Sequence, residues 1–264
     1  MFGKKGEQVA PEEQKKLFDY KWIILGICFL MVFVCLGFCS STKSLYLDVI
    51  TKALNIPRTQ FAFNDSCRFI SSAIINLFFG TMIYKYGVRK LTAFGFFMLI
   101  ASMLTYAFAQ NIFVFCLGGA FLGIGLTFTT TTMASSVIRR WFSKDIGKYT
   151  GLVLAANGVG GALATQILSP IIDTESIMGR PGYQLSYLLV AAILLALGIL
   201  VVILLRERPQ NSKIETTPGS KRKARGSSWV GMDFASAKKR PYFYIVVLIV
   251  FIAGFSVQGI SGIY

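Results

Sequence analysis

Gly80-Thr-Met-Ile-Tyr-Lys-Tyr-Gly-Val-Arg-Lys90 joins two long apolar segments, one ending near Tyr84 and the next beginning at Leu91. Neither neighbour reads as a soluble helix, because apolar residues dominate each for about twenty positions. Gly80 is the small residue near the end of the first segment. Gly87 permits a sharp turn, and Lys85, Arg89 and Lys90 crowd one short loop. A tight basic link between two membrane spans belongs on the cytoplasmic side of the bilayer.

The rest of the chain has the same construction. Of 264 residues, 54% are hydrophobic, yet the formal net charge is +15. The apolar residues fall in blocks, so the lipid bilayer is the solvent. The basic residues lie between the blocks, which argues for the positive-inside pattern and against a nucleic-acid partner. Spans are expected from Trp22 to at least Thr42, Phe61 to Tyr84, Leu91 to Gln110, Ile112 to Ile138, Tyr149 to Ile172 and Tyr183 to Leu205. A helical pattern continues from Tyr46 to Asn55 and is stopped by Pro57. Residues 1–20 read as a cytoplasmic segment. Residues 21–205 form a six-span bundle. Residues 206–240 make a linker with ten basic and three acidic residues, and residues 241–264 open a seventh span. Strong positive charge follows the second, fourth and sixth spans, and little follows the first, third and fifth. The N-terminus and the linker are therefore expected inside.

No histidine is present. That removes the usual nucleophile–base triads and leaves the five cysteines (Cys28, Cys35, Cys39, Cys67, Cys116) without a metal-ligating partner set. We read them as small apolar packing residues. Gly158, Gly160 and Gly161 lie within an apolar helix and follow no strand, so they are no phosphate loop. The chain is expected to be no enzyme and to need no cofactor.

Candidate binding residues are the polar groups at membrane depth. Lys43 lies about 30 Å along the helix from Trp22, at 1.5 Å per residue. It either snorkels to the outer interface or faces an internal cavity, where it would meet an anion. Asp65 and Arg68 share a helix face that Ser72 and Asn76 continue. They form either a structural ion pair or a second part of the cavity. Asp65 is the only acid within a span core, which makes it the proton-coupling candidate. Thr129 to Thr132 cover every face of one turn. Most of those hydroxyls should bond back to the carbonyl four residues earlier, with Thr129 as a candidate for the cavity. Asn157 could contact substrate or cross-link helices. Gln258, in the seventh span, is a further candidate polar group. Gly151, Ala155, Gly158 and Ala162 fall on one arc of the fifth span and are expected to pack against a neighbouring helix.

The Gly80–Lys90 stretch resembles the helix 2–3 signature of the major facilitator superfamily, G-x-x-x-D-[RK]-x-G-x-[RK]-[RK]. Gly80, Lys85, Gly87, Arg89 and Lys90 match it, while Tyr84 replaces the Asp. That replacement removes the carboxylate expected to pair with nearby basic side chains and gate the inner face. The resemblance implies an all-α polytopic fold, with a six-helix bundle built from two inverted three-helix repeats. Gly37 with Ser40-Ser41-Thr42 in the first span, and Gly125 with Thr129 to Thr132 in the fourth, echo that repeat. A family member has a second six-helix bundle, of which only one span is begun here. The chain is accordingly expected to be the first half of a transporter, unable to transport by itself.

Thr42-Lys43-Ser44-Leu45-Tyr46-Leu47 is similar to the first-helix segment that carries the substrate-interacting lysine of monocarboxylate porters. Ile83-Tyr84-Lys85-Tyr86-Gly87-Val88-Arg89 is similar to their loop, which also lacks the Asp. Residues 150–160 resemble the fifth helix of those porters and of oxalate/formate antiporters. The resemblance implies secondary transport of a small organic anion such as a monocarboxylate, often moved with a proton, at the plasma membrane. Alternatives are a drug or sugar-phosphate carrier, or a membrane scaffold that self-associates through the fifth-span arc. The charge pattern sets a direct test of topology. Single cysteines introduced near Glu175 should be labelled from outside and those near Ser220 from inside; labelling of both from one side would overturn the span count.

Overall fold

The computed structural model describes residues 11–53, 55–142, 145–172, 174, 181–205 and 240–261, with side chains from Tyr20 to Ser256. The expected N-terminal surface helix, the loop around Glu175, nearly all of the basic linker and the side chain of Gln258 lie outside the described residues. Among the described residues, six helical segments are long and apolar enough to cross a membrane: span 1 (Tyr20–Ala53), span 2 (Arg58–Tyr86), span 3 (Val88–Ala107), span 4 (Ile112–Trp141), span 5 (Ile146–Ile172) and span 6 (Gly182–Leu204). All belong to one unit within Met1–Pro209. The helix Pro241–Ser261 belongs to a second unit and is apolar over Pro241–Ser256.

Each boundary has a local cause. Pro57 is extended (φ −68°, ψ 154°) and starts span 2. Asn111 caps span 4 by accepting the Val114 N–H at 3.0 Å. The link between spans 2 and 3 is tighter than a loop. Gly87 alone separates the helices, at φ 78°, where its N–H reaches the Ile83 carbonyl at 3.0 Å. Only glycine takes that backbone conformation without strain. Lys85 therefore sits in the last turn of span 2, and Arg89 and Lys90 in the first turn of span 3. These long side chains extend beyond the apolar run, so charge does not end the helix where hydropathy does. Arg89 Nε donates to the Val202 carbonyl at 2.7 Å, near the end of span 6. Tyr84 is 90% exposed.

Spans 1 and 4 are each interrupted. In span 1 a π-helical turn occupies Gly37–Ser41, between the helices Pro11–Leu36 and Lys43–Ala53. In span 4 the helix breaks at Thr130 (φ −118°, ψ −144°). Hydroxyls take carbonyls at both interruptions: Thr42 donates to Phe38 at 2.8 Å and Thr130 to Leu126 at 2.6 Å. The two breaks stand at equivalent places in the two three-helix repeats.

Packing follows the same symmetry. Span 2 crosses span 4 where Gly123 lies against the Arg68 carbonyl, and span 5 crosses span 1 where Gly160 lies against the Phe33 carbonyl. Exchanging the repeats turns one pair into the other. The buried small residues of span 5 are Ala156, Gly160, Gly161 and Ala164. The arc expected to pack, Gly151, Ala155, Gly158 and Ala162, faces outward from this bundle, and a Cβ on Gly151 or Gly158 would meet nothing. Periodicity located a small-residue stripe but not its phase relative to neighbouring helices.

One end of the bundle gathers Lys85, Arg89, Lys90, Arg139, Arg140 and Lys148. It also carries an aromatic group. Tyr20 donates to the Leu204 carbonyl at 2.5 Å and lies 5.5 Å from the Trp141 ring, while Trp22 meets Tyr149 edge-on at 5.9 Å. Amphipathic rings with basic neighbours suit a headgroup layer.

The crossing at Gly123 sets the first stability test. A Cβ there collides with backbone rather than with a flexible side chain. Gly123→Ala should cost about 1–3 kcal/mol by overpacking. Gly26→Ala, where nothing lies within 4 Å, should be neutral or gain up to about 1 kcal/mol of helix propensity. Thermal unfolding in detergent reads the difference, and equal midpoints for the two variants would refute the close crossing.

Candidate functional site

The π turn in span 1 widens the helix just before Lys43 and redirects the helix Lys43–Ala53. Lys43 does not reach outward: its ammonium pairs with the Asp65 carboxylate (Oδ2) of span 2 and lies 4.9 Å above the Phe61 ring. Arg68 stands one turn beyond Asp65. Its Nε is 3.6 Å from Asp65 Oδ1, and one terminal nitrogen donates to Ser40 Oγ at 2.9 Å. Two cations thus flank one carboxylate, and the Arg68 side chain is only 13% exposed. The three charged groups meet in a narrow cleft.

The cleft walls come from spans 1, 2, 3, 4 and 6. Tyr46 stacks on Tyr187 at 4.3 Å, Tyr106 lies 5.4 Å from Tyr187 and 4.7 Å from Phe115, and Phe115 lies 5.4 Å from Phe61. This run of rings gives the charges an apolar surround. Asn64 pins the wall to the bundle, donating to the Phe115 carbonyl at 2.8 Å and accepting from the Tyr106 hydroxyl at 3.0 Å. Two donors in the cleft wall, Arg68 Nε and Tyr46 Oη, are buried and make no hydrogen bond among the described residues.

Of the residues singled out from the sequence, Lys43, Asp65 and Arg68 are brought together. Thr129 and Asn157 do not line the cleft. Thr129 is fully buried and donates to the Gly125 carbonyl at 2.9 Å. Asn157 accepts from Ser41 at 3.2 Å and so ties span 5 to the π turn. Ser72 and Asn76 are also occupied. Ser72 lies 3.0 Å from the Thr127 hydroxyl, and Asn76 donates to the Ser72 carbonyl at 2.9 Å. The residues that the sequence did not single out are Phe61, Asn64, Tyr106 and Tyr187, with Tyr46 quoted only as part of a motif. Asn64 could have been found, since it precedes Arg68 by four positions on the same stripe. The aromatic wall could not, because it depends on which helices meet. The cysteines are free, and no metal-binding group of side chains exists among the described residues.

Residues 19–264 match the sequence pattern of the Major Facilitator Superfamily. An uncharacterized MFS-type transporter of Bacillus subtilis (strain 168), YcxA, is 25% identical over 201 residues, covering 76% of this chain and 48% of its own length. The sialic acid transporter NanX of Escherichia coli (strain K12) is 23% identical over 164 residues, covering 61% of this chain and 38% of its own length. The chain spans at most about half the length of the curated relatives it matches. A match across all six spans, together with the inverted-repeat packing, places this multi-pass membrane chain in the major facilitator superfamily.

Proposed function

We propose that this chain forms the first half of a secondary transporter for a small organic anion, such as a monocarboxylate, working by alternating access. The observation that supports this most directly is the cleft itself, where Lys43 and Arg68 outnumber the single acid Asp65. An ionisable cluster at membrane depth is costly and marks a substrate or ion path. In family members the site lies between two bundles that rock against each other. In this reading residues 1–20 are a cytoplasmic segment, residues 21–205 the first bundle, residues 206–240 a cytoplasmic linker and residues 241–264 the opening of a second bundle. Gln258 would belong to that second bundle. The basic end of the bundle faces the cytoplasm of a cell whose plasma membrane holds the protein. The likeness of residues 42–50 to the lysine segment of monocarboxylate porters supports a carboxylate substrate. Asp65, the acid that lines the cleft, is the proposed proton-coupling residue.

Loss of Lys43 tests the reading. Uptake of labelled small carboxylates by the full-length protein in proteoliposomes should fall to background in Lys43→Gln, with expression and insertion intact. Lys43→Arg should bind but transport poorly, because a planar fork does not replace a point charge in geometry or hydration. Equal uptake by wild type and Lys43→Gln would remove the lysine from the mechanism.

The Gly80–Lys90 link is the proposed inner gate. Tyr84 stands in the place of the signature's acid and is exposed, so it acts through its hydroxyl or by packing at the gate rather than by charge. Tyr84→Phe should keep uptake within about twofold, an effect below 1 kcal/mol, and Tyr84→Asp should be tolerated. Complete loss in Tyr84→Phe at normal expression would make the hydroxyl essential.

A further inference from the structure

We infer that Cys67 and Cys116 form a redox-active dithiol, which a peroxide closes to a disulfide that staples span 2 to span 4. Neither thiol lines the cleft, so the inference stands apart from the transport reading.

The two helices already touch at this place. A Cβ on Gly119 would meet the Asn64 carbonyl, and one on Gly123 the Arg68 carbonyl, so span 4 is in backbone contact with span 2 on both sides of Cys67. Asn64 also donates to the carbonyl of Phe115, the residue before Cys116, at 2.8 Å. Across this seam the Cys67 and Cys116 thiols lie within interacting distance of each other. A disulfide needs two Cα atoms close together with converging side chains, which helices held apart by bulky residues do not offer. The glycines of span 4 supply that closeness.

Access separates this pair from the other cysteines. Cys28, Cys35 and Cys39 of span 1 are buried, whereas Cys67 and Cys116 are free and only partly covered. Within one turn of them along their helices, Phe63, Ile70, Phe113 and Leu117 are exposed. Cys116 lies in the second turn of span 4, about 6 Å from its start. Cys67 lies in the half of span 2 that begins at Arg58. Both are therefore toward the end of the bundle opposite Lys85, Arg139 and Arg140, which stand in the last turns of the same two spans. In the proposed orientation that end faces outward, where thiols meet an oxidising medium.

The chemistry is a two-electron oxidation. One sulfur attacks hydrogen peroxide, the O–O bond breaks, and the departing hydroxide takes up the thiol proton as water, leaving a sulfenic acid. The second thiol attacks that sulfur, the S–O bond breaks, and a second water leaves as the S–S bond forms. Two thiols and one peroxide thus give one disulfide and two waters. The bond holds the turn of span 2 that carries Asp65 and Arg68 against span 4, in the register that Gly119 and Gly123 already impose. It also closes the chain between Cys67 and Cys116 into a loop, which stabilises the folded bundle. Two independent packing residues would show no such coupling.

The experiment treats the purified full-length protein in nanodiscs with hydrogen peroxide, alkylates the remaining thiols, and maps the digest by mass spectrometry. Wild type should give a linked pair of peptides carrying Cys67 and Cys116, two hydrogen atoms lighter than their sum and released by dithiothreitol. Its thermal midpoint should rise on oxidation by on the order of 5 °C and return on reduction. Cys67→Ser and Cys116→Ser should each lose the linked peptides and the redox-dependent midpoint. The thiol left behind should then pass to sulfenic and sulfinic acid. Separate oxidation of the two cysteines in wild type without linked peptides would overturn the inference, as would both thiols remaining open to alkylation after peroxide. The wild-type map decides by itself, so a serine variant that fails to fold does not remove the test.

Discussion

Two backbone contacts, Gly123 of span 4 on the Arg68 carbonyl and Gly160 of span 5 on the Phe33 carbonyl, hold the rest of the bundle in place. In lipid there is no hydrophobic gain from bringing apolar helices together, since the acyl chains are as apolar as leucine. Association depends instead on close packing, and close packing depends on where side chains are missing. The crossing at Gly123 fixes the very turn of span 2 that carries Asn64, Asp65 and Arg68. The crossing at Gly160 fixes the stretch of span 1 that leads into the π turn, where a Cβ on Gly37 would strike Gly160. The charged side chains of the cleft are therefore aimed by backbone contacts made along their own helices.

Much of this architecture was legible in the sequence, and the reason is physical. A bilayer demands about twenty apolar residues per crossing and leaves the basic residues at one face. The six spans follow from those two demands. Their ends were less legible. Lys85, Arg89 and Lys90 read as loop residues because they are charged, yet each extends a helical turn through its long apolar stem. Charge marks where lipid ends, not where the hydrogen-bonded ladder ends.

Within the cleft the sequence was informative for ionisable residues and poor for neutral polar ones. Lys43, Asp65 and Arg68 stood out because a charge at membrane depth has few tolerable positions. Thr129 and Asn157 also stood out, but a hydroxyl or amide can be satisfied by any nearby carbonyl or side chain. Thr129 has the Gly125 carbonyl, and Asn157 has Ser41. Neither lines the cleft among the described residues. The fifth-span arc shows the complementary limit. A period of 3.6 residues defines a stripe, but only the neighbours decide whether it is buried, and here a different stripe of small residues is the buried one.

The ion pair itself explains little of the stability. A partly buried pair loses solvation on both partners, and its mutual attraction commonly only offsets that loss. Three charges among Phe38, Phe61, Phe115 and Tyr187 are harder still to justify by folding, because leucines of similar size would pack without the desolvation cost. What the charges do provide is a group of fixed sign in a place where the dielectric is low and the field is therefore strong. The π turn just before Lys43 and the break at Thr130 belong to the same design. The π turn loosens the helical ladder beside the cleft and the break at Thr130 does so further along span 4, and each has a threonine hydroxyl that takes up a carbonyl of the preceding turn. The crossing at Gly123 holds Arg68, while a softened turn leads into Lys43. The acid between them reaches both cations, paired with Lys43 and 3.6 Å from Arg68 Nε, without either helix crossing being disturbed.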